Sequence, residues 1–260
     1  MKTFKTSIVA LLLLAAISCK KDNSTSATVA VTSDQAADMA ASSLASNSGG
    51  VASMTDAVSA NAVTVTSVSG PTINSLQTNI VTAKWACGTT LTDSATFSGT
   101  SASVTFNYFA KYTHTLNCNS EEQPDNIVNT LTYNGTFSGP RISTTATGTA
   151  NATIAGLTTA ASDFVINGEY KRTGSFASKV GNMATGNSSV DIVITNLTLA
   201  KPARTIVSGT GTFTISGVAG KINYSYAGTI TFNGDGTATL VVTGGSTYVI
   251  TLATGVYVKH

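Results

Sequence analysis

Apolar and polar residues alternate along most of the chain after residue 79. The clearest run is 222–232, in which every second residue is apolar or Gly and the residues between them are polar or small. A period of two is typical of a β-strand that buries one face. Similar runs occupy residues 81–85, 104–112, 127–137 and 164–170, and Asn129 interrupts the third of them.

Turn-forming residues separate these runs. Asn-Gly-Asp-Gly at 233–236 and Gly-Gly at 244–245 lie between alternating stretches, as do residues 139–140 and 217–220. Asn, Asp and Gly readily adopt the backbone conformations of tight hairpins. No amphipathic helix of crossover length follows residue 79, so the strands are expected to be antiparallel and consecutive.

The sequence therefore predicts an all-β domain over residues 79–260, built as an antiparallel up-and-down meander of about ten strands. So many strands must curl or fold over to cover their apolar face. A barrel, a half-barrel and a two-sheet sandwich would each do this, and the pattern leaves all three open. A transmembrane barrel also has alternating strands, but Ala and Gly interrupt the apolar faces here.

One short helix is predicted ahead of the strands. Thr32 and Gln35 fit a capping box, and residues 33–44 are rich in the helix formers Ala, Met and Leu. The sequence Asn-Ser-Gly-Gly at 47–50 should end this helix. Because its apolar side is mostly Ala, we expect it to pack only lightly. Residues 51–75 have no clear period and are interpreted as linker, so that residues 32–78 form a short helix and a linker.

The N-terminal residues have the features of an export signal. Lys2 and Lys5 precede an apolar run of about ten residues, which is too short to span a bilayer. With the small residues that follow, this indicates a signal peptide over residues 1–18. The segment Ala16-Ile17-Ser18-Cys19 resembles the lipobox of bacterial lipoproteins, although Ala16 stands where that family usually has Leu. The alternative is an ordinary cleaved signal with an incidental Cys.

The resemblance implies that Cys19 is the first mature residue and carries acyl chains, palmitate among them, so that the membrane is a partner of the protein. Residues 19–31 would then form a lipidated tether. Lys20-Lys21-Asp22 resembles the signal of Gram-negative lineages that display lipoproteins on the cell surface. The implied location is the outer membrane, facing the cell exterior. The alternative is that these charges only solvate the tether.

Residues 228–237, Gly-Thr-Ile-Thr-Phe-Asn-Gly-Asp-Gly-Thr, resemble a hairpin of the lipocalin-like bacterial lipoproteins. This resemblance covers one hairpin of the predicted β domain.

Cys87 and Cys118 remain when Cys19 is lipidated. An even number of cysteines in an exported chain indicates one disulfide. Both residues flank strand-like stretches, and Trp85 is expected in the core on the same strand face as Cys87. Metal binding is the alternative, but neither cysteine has a second Cys at metal-ligand spacing and His114 is the only His nearby.

Motifs of known catalytic classes are largely absent. A Ser–His–Asp triad would have to use His114, which is interpreted instead as a surface or hydrogen-bonded residue. Glu121, Glu122 and Asp125 form an acidic cluster that is interpreted as a solvated turn. Glycoside hydrolysis by paired carboxylates and calcium binding are the alternatives. No catalytic residue, metal site or cofactor is assigned.

The charge of the chain argues against one class of function, nucleic-acid binding. Charged residues make up 10% of the chain, whose formal net charge is +2. Without Lys2 and Lys5 of the signal, basic and acidic residues are equal in number. Nucleic-acid binding requires a basic face, so no nucleic-acid partner is predicted.

The function that the sequence predicts is that of a non-enzymatic surface lipoprotein with a binding or structural role, whose ligand or partner protein is unidentified. One alternative is a carrier that holds a small lipophilic ligand inside a barrel. Another is a glycan-acting hydrolase whose carboxylates are brought together by the fold.

Overall fold

The computed structural model describes residues 30–66, 85–101, 103–158 and 160–260. The predicted signal peptide, Cys19, most of the tether, and Val81 and Ala83 of the first alternating run lie outside these ranges. The helices are α1, Ser33–Leu44, and α2, Val51–Thr66, with a short 3₁₀ helix, Ser46–Ser48, between them. The strands are β1 Thr90–Thr100, β2 Thr105–Cys118, β3 Pro124–Ser138, β4 Ile142–Ala155, β5 Asp163–Ser178, β6 Thr185–Ala200, β7 Thr205–Ala219, β8 Ile222–Phe232, β9 Thr237–Val242, β10 Thr247–Thr251 and β11 Tyr257–Lys259.

The eleven strands form one antiparallel sheet in chain order, which confirms the predicted meander. Burial alternates along the strands, as the period of two requires. In β8, for example, Tyr224, Ile230 and Phe232 are buried whereas the residues next to them are exposed. Of the arrangements that the sequence left open, the structure has a single sheet, and β1 and β11 are not paired with each other in the part of the chain described.

The sheet is strongly curled. Arg141 lies in the turn between β3 and β4, and its guanidinium carbon is 4.9 Å from the ring centroid of Tyr257 in β11. In a flat sheet these residues would be separated by about seven strand spacings, roughly 34 Å. Contact between them therefore requires the strands to wrap around, so that the sheet forms an incomplete barrel.

Helix α1 fills the inside of this curl. Its capping box is formed: the Gln35 amide donates to Thr32 Oγ1 at 3.2 Å, and the Thr32 amide donates to Gln35 Oε1 at 3.0 Å. The ten residues from Gln35 to Leu44 are all buried. The expectation of light packing was therefore wrong, because a helix of small residues such as Ala36 and Ala40 lets the surrounding strands approach from every side.

The structure also corrects the interpretation of residues 51–75 as linker, because α2 occupies 51–66. Val51, Met54, Val58 and Ala62 are buried at helical spacing, and burial outweighs the weak helix propensity of a segment rich in Val, Thr and Ser. The chain bends into α2 at Gly49, whose φ is +66° and whose Cβ would lie 3.2 Å from the Tyr108 ring. Glycine satisfies both constraints.

An up-and-down sheet has its turns at two opposite ends. The entry end comprises the turns that follow β1, β3, β5, β7 and β9, together with the start of α1, where Asn182 Nδ2 of the β5–β6 turn donates to the Ala30 carbonyl at 2.7 Å. The disulfide end comprises the turns that follow β2, β4, β6, β8 and β10. β3 has 15 residues, so the two ends are roughly 50 Å apart.

Candidate functional site

The predicted disulfide between Cys87 and Cys118 is present, with the two Cα atoms 5.6 Å apart. Cys118 is the last residue of β2, as expected, but Cys87 lies in a turn ahead of β1 and Trp85 is not in a strand either. The expectation that both share one strand face was therefore wrong. Trp85 is half-buried and packs against the core, so that the bridge and this ring together hold the start of β1 onto β2.

Replacing both cysteines, as Cys87→Ser with Cys118→Ser, should lower the free energy of unfolding by about 3.5–4 kcal/mol, because the bond closes a long loop in the unfolded chain. Urea unfolding followed by circular dichroism measures the change. Wild-type protein unfolded in the presence of a reductant is the matched control and should give the same value. Two alkylatable thiols in native protein would contradict the assignment.

His114 is buried on the inner face of β2 and is 1% exposed. Its Nδ1 lies 2.6 Å from Oδ1 of Asn129, the residue directly opposite it on β3. Asn129 Nδ2 donates to the Ile127 and Ala152 carbonyls. The amide oxygen therefore faces the imidazole, and His114 Nδ1 is the donor. Asn129, which interrupts an apolar run in the sequence, is thus the partner of a buried His.

The other imidazole nitrogen faces a carboxylate. His114 Nε2 is 3.4 Å from Asp93 Oδ1, and both atoms lack any other hydrogen-bond partner. The ring stacks on Tyr112 at a centroid distance of 5.8 Å. An Asp–His pair becomes a triad only when the ring nitrogen that does not face the Asp contacts a nucleophile, and here that nitrogen, Nδ1, is bonded to Asn129.

The acidic residues at 121–125 lie at the disulfide end, where Glu121 and Glu122 occupy the β2–β3 turn and Asp125 is in the first residues of β3. The Asn119 side chain organises this turn, since its Oδ1 accepts from the amides of Glu121 and Gln123 at 3.0 and 2.9 Å. The two Glu side chains are exposed. Among the described residues, no three His, Cys, Asp or Glu side chains are arranged to hold a metal ion.

Arg172 is a buried cation that sequence reasoning missed. It is 4% exposed, and within the described ranges it forms no ion pair with a carboxylate. Its Nη1 donates to the Ser42 carbonyl in the last turn of α1 at 3.0 Å, and its Nη2 donates to Tyr108 Oη at 3.4 Å and to Thr144 Oγ1. The negative end of the helix dipole thus faces the guanidinium.

Two tyrosines extend this buried cluster toward the bend between the helices. Tyr133 Oη donates to Tyr170 Oη at 2.5 Å, and Tyr170 Oη donates to the Gly49 carbonyl at 3.0 Å. Burial raises the pKa of Tyr170 to about 12. Position 172 has the same parity as the buried Phe164 and Tyr170, so a charge in register with the apolar face was the signal that could have identified it.

Two ion pairs join α1 to the entry end. Arg141 Nε donates to Asp38 Oδ1 at 2.6 Å, and Lys259 Nζ donates to Asp34 Oδ1 at 2.7 Å. Burial raises the pKa of the Asp38 carboxyl against the opposing effect of Arg141. The hydrogen bonds from Lys259 and Tyr248 lower the pKa of Asp34. These ion pairs fix the start of the helix to the sheet.

The outer face of the sheet carries mainly hydroxyl side chains. Over β2–β5 it has two adjoining open depressions of about 330 and 430 Å³, both bordered by Thr136 and Thr145. Ser175 lines the first and Thr173 the second. Hydroxyl groups both donate and accept hydrogen bonds, so this surface suits a polar, uncharged ligand.

Comparisons with protein-family models, with curated proteins and with solved structures found no match. Within the described ranges, neither helix combines the length and apolar character needed to cross a membrane.

Proposed function

We propose that this protein is a non-enzymatic lipoprotein of the outer membrane, anchored through acylated Cys19 and displayed on the cell exterior, whose β body has a binding or structural role. The observation that carries the proposal is the filling of the sheet's interior by α1. A carrier would need that space for its ligand, whereas here the chain's own side chains occupy it.

The buried polar residues support the same view of the body. Arg172, Asp38 and His114 each contact groups of the fold itself. The outer face, by contrast, presents the exposed hydroxyl groups of Thr136, Thr145, Thr173 and Ser175 in open depressions. Binding is therefore assigned to the outer face. Two assays on purified protein test this: a glycan array should detect binding, and a fatty-acid displacement assay should detect none. Binding of fatty acid alone would favour the carrier instead.

The Cys19→Ala variant should be released from membranes. One acyl chain gives marginal attachment, whereas several make it effectively permanent, so removing the attachment point moves the protein from the membrane fraction to the soluble fraction. The double variant Cys87→Ser with Cys118→Ser is the cysteine control and should remain bound. Mass spectrometry of the mature N-terminus identifies the acyl groups. An unmodified Cys19 in native protein would overturn the proposed anchor.

Replacement of Lys20, Lys21 and Asp22 by Ala tests display separately. The lipid should be retained, but protease added to intact cells should no longer digest the protein. Digestion of this variant at the wild-type rate would show that Lys20, Lys21 and Asp22 are not the display signal. Resistance of the wild-type protein to the same protease would contradict exterior display while leaving the anchor standing.

A further inference from the structure

We propose that the entry end of the sheet faces anionic lipid headgroups and that the disulfide end points away from the membrane. The inference rests on the proposed lipid anchor at Cys19 and adds the orientation of the body and the surface chemistry that maintains it.

The first argument is the reach of the tether. The described chain begins at Ala30, which is held at the entry end by Asn182. About eleven residues separate it from Cys19, and fully extended they span roughly 36–40 Å. If the disulfide end contacted the bilayer, with the strands tilted by about 40° as in a barrel, Ala30 would stand roughly 38 Å above it, at the limit of the tether's reach. Full extension of the tether costs conformational entropy, so the tether favours an approach with the entry end.

The second argument is the distribution of charge. At the entry end, Asp34 and Asp38 are paired with Lys259 and Arg141. Lys179 and Lys221, in the β5–β6 and β7–β8 turns, are exposed and have no carboxylate partner among the described residues. The side chains of the entry end are thus net positive, as a surface that meets anionic headgroups should be.

The disulfide end has the opposite character. Its acidic side chains outnumber Lys201 and Arg204, the basic residues of the β6–β7 turn. These acidic residues are Asp56, Glu121, Glu122, Asp125, Asp163 and Asp235. An anionic membrane repels the disulfide end and attracts the entry end, so the charges of the two ends favour the same orientation.

An apolar residue is also placed to enter the interface. Met183, in the β5–β6 turn beside Lys179 and Asn182, is 64% exposed, the highest fraction among the exposed large apolar side chains described. An exposed unbranched apolar side chain in the same turn as a Lys suits the boundary between headgroups and acyl chains.

Variants with a single Trp provide the test. Full-length lipidated protein is reconstituted in vesicles of phosphatidylcholine with phosphatidylglycerol that contain a headgroup-linked nitroxide quencher. A Val256→Trp variant in a Trp85→Phe background, at an exposed position of the turn after β10 at the disulfide end, should be quenched weakly. A Met183→Trp variant in a Trp85→Phe background should be quenched several-fold more strongly, and less so in vesicles of phosphatidylcholine alone.

Charge variants of the Met183→Trp protein complete the design. Lys221→Glu should reduce quenching in the anionic vesicles, whereas the matched change Lys111→Glu, at an exposed position midway along β2, should leave it unchanged. If the indole of the Val256→Trp variant is quenched as strongly as that of the Met183→Trp variant, the orientation is wrong although the anchor stands. Equal quenching in both lipids and both charge variants would overturn the role of the anionic headgroups. Protein that fails to float with vesicles removes the anchor, and the inference with it.

Discussion

Replacing Arg172 by Ala should lower the free energy of unfolding by about 3–5 kcal/mol. The side chain is 4% exposed, and it is the donor to Ser42 in α1, Tyr108 in β2 and Thr144 in β4. Its removal takes one donor from each of three buried acceptors and leaves a cavity between the helix and the sheet. Urea unfolding monitored by Trp85 fluorescence and by circular dichroism measures the loss.

Lys171→Ala is the matched control, because it removes a neighbouring cation that is exposed on the opposite face of β5. Its ion pairs with Glu169 and Asp191 lie at the surface, where such pairs contribute little. We expect no change in stability that urea unfolding can resolve. Arg172→Met separates packing from hydrogen bonding and should fall between the two. Equal stability of the Arg172→Ala and Lys171→Ala variants would show that the guanidinium does not hold α1 in place.

The second large effect is alkaline unfolding between pH 10 and 12. Burial raises the pKa of all eight tyrosines above 10.0, to about 12 for Tyr170, Tyr224 and Tyr248. The others are Tyr108, Tyr112, Tyr133, Tyr226 and Tyr257. The unfolded chain loses its phenolic protons near pH 10 whereas the folded chain keeps them, so stability is complete below pH 10 and falls as pH rises toward the folded pKa values.

The size of this effect exceeds that of a single contact. Tyr170 alone, which is fully buried, accounts for about 2 kcal/mol of lost stability at pH 12. Domains are stable by about 5–15 kcal/mol, so the sum over several tyrosines should unfold the protein. Phenolate absorbance and the circular dichroism of the sheet should therefore change together. Tyrosines that titrate near pH 10 while the sheet signal persists would contradict the burial described here.

Much of the fold was predictable because the decisive information is local. Alternation identified the inner-facing residues of β8, Thr32 and Gln35 marked the start of α1, and Asn233 with the glycines after it marked a hairpin. The cysteine count identified the pair that forms the disulfide. Each of these signals lies within one strand, one turn or one composition rule.

The rest depends on contacts between distant residues. Helix α2 has weak intrinsic propensity and is stable because Met54 and Val58 are buried under it. The number of strands indicated that the sheet must curl or fold over, but no strand pattern indicated that α1 lies inside the curl. Arg172 gains its backbone hydrogen-bond acceptor, the Ser42 carbonyl, only when the end of α1 lies beside it. The buried cluster could therefore be suspected from the parity of position 172, but its partners could not be named.

The central position of α1 has a consequence for how the chain assembles. Lys259 Nζ donates to Asp34, 225 positions earlier in the sequence, so a segment that is synthesised early meets its last partner only when synthesis is nearly complete. Until then the sheet that surrounds the helix is incomplete, and the apolar side chains of the helix remain exposed to water. Folding should be slow, as for other proteins with such distant pairings, and losing the final two strands should leave an aggregating intermediate rather than a smaller stable domain.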